Sequence, residues 1–296
     1  MNPTPAAANG PRVSVAMIVK NEEVLLEKCL KSVQDLDEIV VLDTGSQDRT
    51  VEIARRYTDK VYQDYIWNDD FSEARNQAKS RCSGDWILSI DADEELEPGG
   101  AAKIRQAIQT ARKVVYLKMC SGDNVHYFPR LFRNLPEIKW VGAAHECINL
   151  VDDNRGDIVI NYGYSPSHQQ DPDLILRILK KEVEKNPSLV RERYYLGREY
   201  SYRRDWAPAI YHLEQYVQVA SWNPEWAEGY YQLAKCYWSA GRIEDARRAC
   251  LLALKINADF KSACLLMADL TEGRNRQRWL DFAAGAANAD VLFTVS

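Results

Sequence analysis

The sequence predicts two domains, an α/β domain built on a mostly parallel sheet and then an all-helical repeat domain. Three observations predict this. Short apolar runs alternate with helix-period segments from Val13 to Ile90, as in parallel strands joined by crossover helices. Polar clusters stand directly after three of those runs. From Asp173 onward the pattern is helical only, and it repeats.

The opening MNPTPAAANGP, residues 1–11, lacks the basic and apolar regions of a secretory signal, and its composition predicts a disordered lead-in. The α/β domain is then expected over 12–168 and the helical domain over 169–296. Val13–Val19 (VSVAMIV) and Glu38–Leu42 (EIVVL) are continuous apolar runs, expected for strands covered on both faces. Between them a helix is expected from Asn21, with Val24, Leu25, Cys29, Leu30 and Val33 at helical spacing. Gln47–Tyr57 predicts a second helix, Val61 a short strand, Phe71–Cys82 a third helix and Trp86–Ile90 (WILSI) another strand. Strand-like pieces at Val114–Met119 and Ile158–Asn161 follow in a less regular stretch.

In the helical part, Leu196, Gly197, Tyr200, Trp206 and Ala209 recur as Leu233, Ala234, Tyr237, Ile243 and Ala246, a shift of 37 residues (196 to 233). The pattern resembles tetratricopeptide (TPR) repeats, whose period is about 34 residues. Ser221-Trp222-Asn223-Pro224 accommodates the longer connection, and a degenerate third unit is expected near Ser262. Tyr194, Tyr195, Tyr200, Tyr231, Tyr237 and Trp238 lie at helical spacing, which fits packing between repeat helices better than a sugar-stacking surface.

Bulk composition excludes some functions. A net charge of -5 opposes non-specific nucleic-acid binding. No apolar run approaches the roughly 20 residues that cross a bilayer. The seven cysteines form no Cys-x-x-Cys pair and no disulfide framework, so a cytoplasmic protein with reduced, packing cysteines is expected.

In parallel sheets ligands bind beyond the C-terminal ends of the strands. Lys20-Asn21-Glu22, Asp43-Thr44-Gly45-Ser46 and Asp91-Ala92-Asp93 all fall there. Two carboxylates one residue apart after WILSI suit a hard divalent cation that neutralises a leaving diphosphate, as in transfer from a nucleotide-sugar. A lone D-x-D also occurs on many exposed turns; its place at a strand end is what raises it. Asp43 could accept from a base N–H or ribose hydroxyl, or form the turn and cap the next helix.

VSVAMIVKNEEVLLEKCLKSV, EIVVLDTGSQDRT and DDFSEARNQAKSRCSGDWILSIDADEEL together resemble a family 2 glycosyltransferase of the GT-A fold, over roughly Val13–Gly163. RLFRN…IKWVGAAHECI is similar to the branch with C-terminal TPR repeats. The resemblance implies a Rossmann-like α/β GT-A catalytic domain followed by a TPR-like domain. It implies that Asp43 binds uracil or ribose, that Val19, Asn21 and Glu22 line the base loop, and that Arg75 contacts the base. Asp91 falls near ribose and metal, Asp93 is the direct metal ligand, and His145 is a further metal or diphosphate contact. The expected cofactor is Mn2+ or Mg2+ and the donor a UDP-sugar. Asn161 stands where that branch often has His, which removes one metal or phosphate contact.

An inverting transfer needs a base for the acceptor's proton. Glu146, beside His145, is the expected catalytic base, with the alternative that it only orients a neighbour; His145 has the alternative of a hydrogen-bonded core histidine. Glu94 and Glu95 are expected to support the site or be solvated. Arg130 and Arg133 suit a phosphate clamp or strand-edge ion pairs equally. Trp67 lies in a loop that suits a donor or acceptor contact. The acceptor is expected to be a hydroxyl or thiol of a protein, peptide or glycan, and the repeats could form a homo-oligomer. Two rivals compete. One is an idle nucleotide-sugar sensor whose repeats bind protein. The other is a nucleotidyltransferase, weakened because Lys20-Asn21-Glu22-Glu23 is acidic and lacks glycine.

Overall fold

Strands Val13–Val19 (β1), Glu38–Asp43 (β2), Val61–Tyr62 (β3) and Trp86–Ser89 (β4) form where the apolar runs predict. All six residues of β2 and all four of β4 are buried, as strands covered on both faces must be. The computed structural model describes residues 10–122, 124–150 and 154–286. Most of the predicted lead-in, residues 1–9, lies outside them. The chain divides into two units, Met1–Pro172 and Asp173–Ser296.

The first unit carries one eight-stranded sheet in the order β3-β2-β1-β4-β7-β6-β10-β5. The added strands are Glu94–Leu96 (β5), Val114–Ser121 (β6), Asn124–Arg133 (β7) and Arg155–Tyr162 (β10). Pairings among β3, β2, β1 and β4 are parallel, as is β6 with β10. Strand β7 runs antiparallel to both β4 and β6, and β5 antiparallel to β10, so the sheet is mixed. A two-stranded ladder of Trp140–Val141 (β8) and Cys147–Ile148 (β9) stands apart. Helices Leu26–Val33 (α1), Thr50–Ala54 (α2), Phe71–Ser80 (α3) and Gly100–Thr110 (α4) complete the unit. One apolar core joins Val15, Met17, Leu30, Val41, Leu88 and Ile160, and a second joins Ala16, Leu42, Ile87, Phe132 and Trp140. Alternate residues of β1, β2 and β4 thus feed opposite faces.

Two helices start later than their periodicity predicts. Asn21 adopts a left-handed φ of 56°, Val24 is 69% exposed, and α1 begins only at Leu26. The expected helix over Gln47–Tyr57 contracts to Thr50–Ala54, because Asp48 Oδ1 accepts from the Thr50 N–H at 2.9 Å and holds an Asx turn.

At the N-terminal ends of β1 and β2 a buried carboxylate ties the sheet together. Glu38 accepts from Ser14 Oγ and Lys60 Nζ, from the Ser83 N–H at 2.7 Å and from Ser83 Oγ at 2.9 Å. Ser14 Oγ in turn accepts from the Gly84 N–H at 2.8 Å. This knot lies at the end of the sheet away from the polar clusters.

The second unit is helical throughout its described residues: Leu174–Lys185 (α5), Val190–Tyr202 (α6), Trp206–Val217 (α7), Asn223–Ser239 (α8), Ile243–Ile256 (α9), Lys261–Asp269 (α10) and Gly273–Gly285 (α11). The 37-residue recurrence maps α6–α7 onto α8–α9, and the degenerate third unit is α10–α11. Gly197 shows why the repeat needs a small residue there. A Cβ on it would lie 2.6 Å from Leu213 Cγ and 3.3 Å from the Ala209 carbonyl oxygen. Its counterpart Ala234 is fully buried. Tyr194, Tyr195, Tyr231 and Tyr237 pack in the unit's interior, and Tyr200 stacks on His212, whereas Trp238 is exposed. No helix among the described residues is long and apolar enough to cross a membrane.

Candidate active site

The polar clusters that follow β1, β2 and β4 meet at one edge of the sheet, and Asp91, just past β4, is the centre of that edge. Arg75 on α3 grips Asp91 through two parallel bonds, Nη1 to Oδ1 at 2.8 Å and Nη2 to Oδ2 at 3.2 Å. Its Nε donates to Glu146 Oε1 at 2.5 Å. Arg130 on β7 donates from Nη2 to Asp91 Oδ2 at 2.8 Å and also to Glu94 Oε1. Glu94 Oε2 closes the circuit by accepting the Asp91 N–H at 2.9 Å. Two guanidinium groups therefore face three carboxylates from two separate segments, the turn Asp91–Glu94 and the loop that carries Glu146.

Local structure aims each of these groups. Asp70 caps α3 by accepting the Glu73 N–H at 2.8 Å, and the helix then presents Arg75 to the edge. Arg130 is aimed by a β-bulge. Val115 pairs with Leu131 and Tyr116 with Pro129, so Arg130 is the extra residue on its strand. Bulges re-aim a side chain in this way. Aromatic rings back both cations, with Arg75 5.1 Å from the Trp140 ring centroid and Arg130 5.2 Å from that of Phe128. Arg130 is 7% exposed, and its Nε has no hydrogen-bond partner.

The cluster's electrostatics follow from burial and charge. Burial would raise the Asp91 carboxyl, but Arg75 and Arg130 outweigh it and hold Asp91 well below the usual carboxylate range. Burial drives Glu94 the other way, and Asp91's negative charge adds to the upward push against the pull of Arg130.

The base-side loops are tightly knit. Asp43 is 3% exposed, and its own turn uses it: Oδ1 accepts the Ser46 N–H at 3.1 Å and Oδ2 the Gly45 N–H at 3.3 Å. Turn formation, weighed against ligand binding from sequence, is thus its state here. The Val19 carbonyl accepts from the Thr44 N–H at 2.9 Å. Asn21 donates its N–H to Ser46 Oγ at 2.9 Å, and its Oδ1 accepts the Gln47 N–H at 2.8 Å. Both oxygens of Glu22 accept hydroxyls, from Ser165 and Ser167, at 2.6 Å each.

Asp93 is half-buried one turn residue beyond Asp91, and its carbonyl accepts the Gly163 N–H at 3.0 Å. His145 is exposed and left-handed at φ 52° in the loop between β8 and β9, directly before Glu146. That loop is pinned near α3, because the Phe71 N–H donates to the Ala143 carbonyl at 2.9 Å. Asp91, Arg75 and Glu146 are brought together, while among the described residues no three His, Cys, Asp or Glu side chains converge as a metal cage. Arg133 bonds the Arg112 carbonyl at 3.2 Å and packs over Trp86. Trp67 bonds Asp69 Oδ1 at 3.0 Å and packs on Phe71. Sequence reasoning did not foresee that Arg130 sits in a central strand on Asp91, because β7 carries no apolar run before Leu131. Nor did it foresee Trp140 beneath Arg75 or the serines on Glu22.

Residues 14–156 match the family model for glycosyl transferase family 2. Over these residues the N-terminal domain is similar to glycosyl transferase family 2. Its relatives include a protein named for TPR repeats and one named as a glycosyltransferase. A TPR repeat-containing protein of Synechococcus elongatus is 42% identical over 149 residues, covering 48% of this chain and 36% of that protein. The SPbeta prophage-derived glycosyltransferase SunS of Bacillus subtilis is 30% identical over 204 residues, covering 64% and 46%. The chain therefore spans less than half the length of these relatives. Among solved structures, S. aureus TarS 1-349 in complex with UDP-GlcNAc is 15% identical with a TM-score of 0.44, covering 92% of this chain and 89% of that one. A glucosyl-3-phosphoglycerate synthase of Mycobacterium tuberculosis with Mn2+ and UDP-glucose is 24% identical with a TM-score of 0.34, covering 38% and 45%. These two superpositions are too loose to carry chemistry across.

Proposed function

We propose that the N-terminal domain transfers a sugar with inversion from a UDP-sugar to a hydroxyl or thiol of a protein, peptide or glycan, and that it requires Mn2+ or Mg2+. One observation carries the metal requirement. Both guanidinium groups at the strand edge are already bound to carboxylates, so neither is free to neutralise a departing diphosphate. A divalent cation would supply that charge as a Lewis acid. A cation that arrives with phosphates needs only one or two protein carboxylates, and Asp93, with Asp91 two residues before it, fits that hard-oxygen set, to which His145 would add a nitrogen.

The chain's own residues do the rest. Asp43 and the Val19–Glu22 loop frame the base side. Arg75 holds Asp91 and Glu146 in fixed relation, and its three bonds make it a carboxylate clamp in this state. Glu146 keeps Oε2 for the acceptor's proton while Arg75 occupies Oε1. The acceptor oxygen or sulfur attacks the anomeric carbon, the bond from that carbon to the diphosphate oxygen breaks, and the proton passes to Glu146. Seven free cysteines support a reducing, cytoplasmic setting.

UDP release from a panel of UDP-sugars, measured with Mn2+ on wild type and Asp93→Ala, tests this function. The expected result is metal-dependent release from one donor, reduced about a hundredfold or more in the variant. Equal release by both proteins would refute the metal role of Asp93. No release with any donor, alongside intact nucleotide binding, would favour an idle sensor.

A further inference from the structure

We infer that Glu22 is a positioning residue, which locks the base-side loops by tying them to the segment after the last strand. The inference rests on the donor reading above and goes beyond it. In that reading Glu22 belongs to the loop beside the base, yet its carboxylate is committed elsewhere. Ser165 Oγ donates to Oε2 and Ser167 Oγ to Oε1, each at 2.6 Å across more than 140 residues of sequence. Glu22 is 8% exposed and Ser165 is buried. The tie is built into the segment, because Ser165 also accepts the Ser167 N–H at 3.2 Å and so caps the turn Pro166–Gln169.

From this anchor the constraint passes to the residues around Asp43. The Glu22 N–H donates to Thr50 Oγ1 at 2.7 Å. Asn21 donates from Nδ2 to Gln170 Oε1 at 2.7 Å, accepts from Gln47 N–H, and donates its own N–H to Ser46 Oγ. Ser46 N–H is the donor that fixes Asp43 Oδ1. Three segments therefore form one network that ends on the carboxylate placed at the base. A left-handed asparagine at position 21 is strained unless its surroundings hold it, and these bonds hold it. Hydroxyl-to-carboxylate bonds are charge-assisted and short, which suits them to a lock more than to a ligand contact.

Ser167→Ala removes one bond while leaving Glu22 and every residue of the proposed reaction in place. Ser167→Thr keeps the hydroxyl and serves as the rescue. The readouts are amide hydrogen exchange over residues 20–24 and 44–50, and calorimetric UDP affinity with Mn2+. In Ser167→Ala exchange should rise about tenfold in both segments and UDP affinity should fall about tenfold, with the melting temperature and kcat kept. Ser167→Thr should restore both readouts. Glu22→Gln should show the same two changes more strongly. Unchanged exchange, or unchanged UDP affinity in a wild type that binds UDP, overturns the positioning role alone. A wild type without UDP affinity overturns the donor reading and the positioning role together.

Discussion

Arg130 is the residue on which the site's charge balance turns. It is buried between Asp91 and Glu94, and removing it leaves Glu94 without a cation and Asp91 with Arg75 alone in a low-dielectric setting. Arg130→Met should therefore destabilise the first unit by about 3–5 kcal/mol, measured as a lower denaturant midpoint. Adding Glu94→Gln should recover part of the loss, because it removes one of the two carboxylates left facing each other. An unchanged midpoint in the single variant would mean that the cluster carries no such charge. The Arg75 clamp differs from this pair, since its parallel bonds to Asp91 suit guanidinium geometry and would not survive a lysine.

At the scale of elements, the strand ends divide the work. The C-terminal ends of β1, β2 and β4 carry the polar clusters, and the N-terminal ends carry the knot around Glu38. Burial alone would raise the Glu38 carboxyl, but bonds from Lys60, Ser14 and Ser83 hold it at about 2 against the usual 4.5. The folded state thus binds its proton more weakly than the unfolded chain. The stabilisation is complete above about pH 4.5 and is lost as pH falls toward 2. Glu38→Gln should be less stable than the parent at pH 7, and the difference should shrink steadily between pH 4.5 and 2 in acid denaturation. A difference that stays constant over that window would rule the knot out as an acid-sensitive tie. The elements also show where periodicity misleads. Asn21 and Asp48 begin stretches with helical spacing, yet each uses a side-chain bond or a left-handed turn to delay the helix.

Across the whole molecule, the parallel half of the sheet was readable because β1, β2 and β4 are continuous apolar runs ending in polar clusters. The antiparallel half was not. Strand β7 reads NVHYFPRLFR, with a proline and a bulge inside it, so neither alternation nor a continuous run marks it. The helical unit was readable through its repeat, including the third pair. Within the site, Asp91 stood out from its place after WILSI, and Arg75, in SEARN, through the family resemblance, as a base contact. Their pairing with each other, with Glu146 and with Arg130 depends on contacts 16 to 71 residues apart, which no local pattern encodes. That pairing supports the proposal that the arginines at the strand edge are spent on carboxylates and that a cation meets the diphosphate. Calorimetric titration of UDP into the wild-type protein, once with Mn2+ and once with EDTA, tests it most directly. Binding should weaken about a hundredfold or more without the metal; equal affinity in EDTA would overturn the proposal.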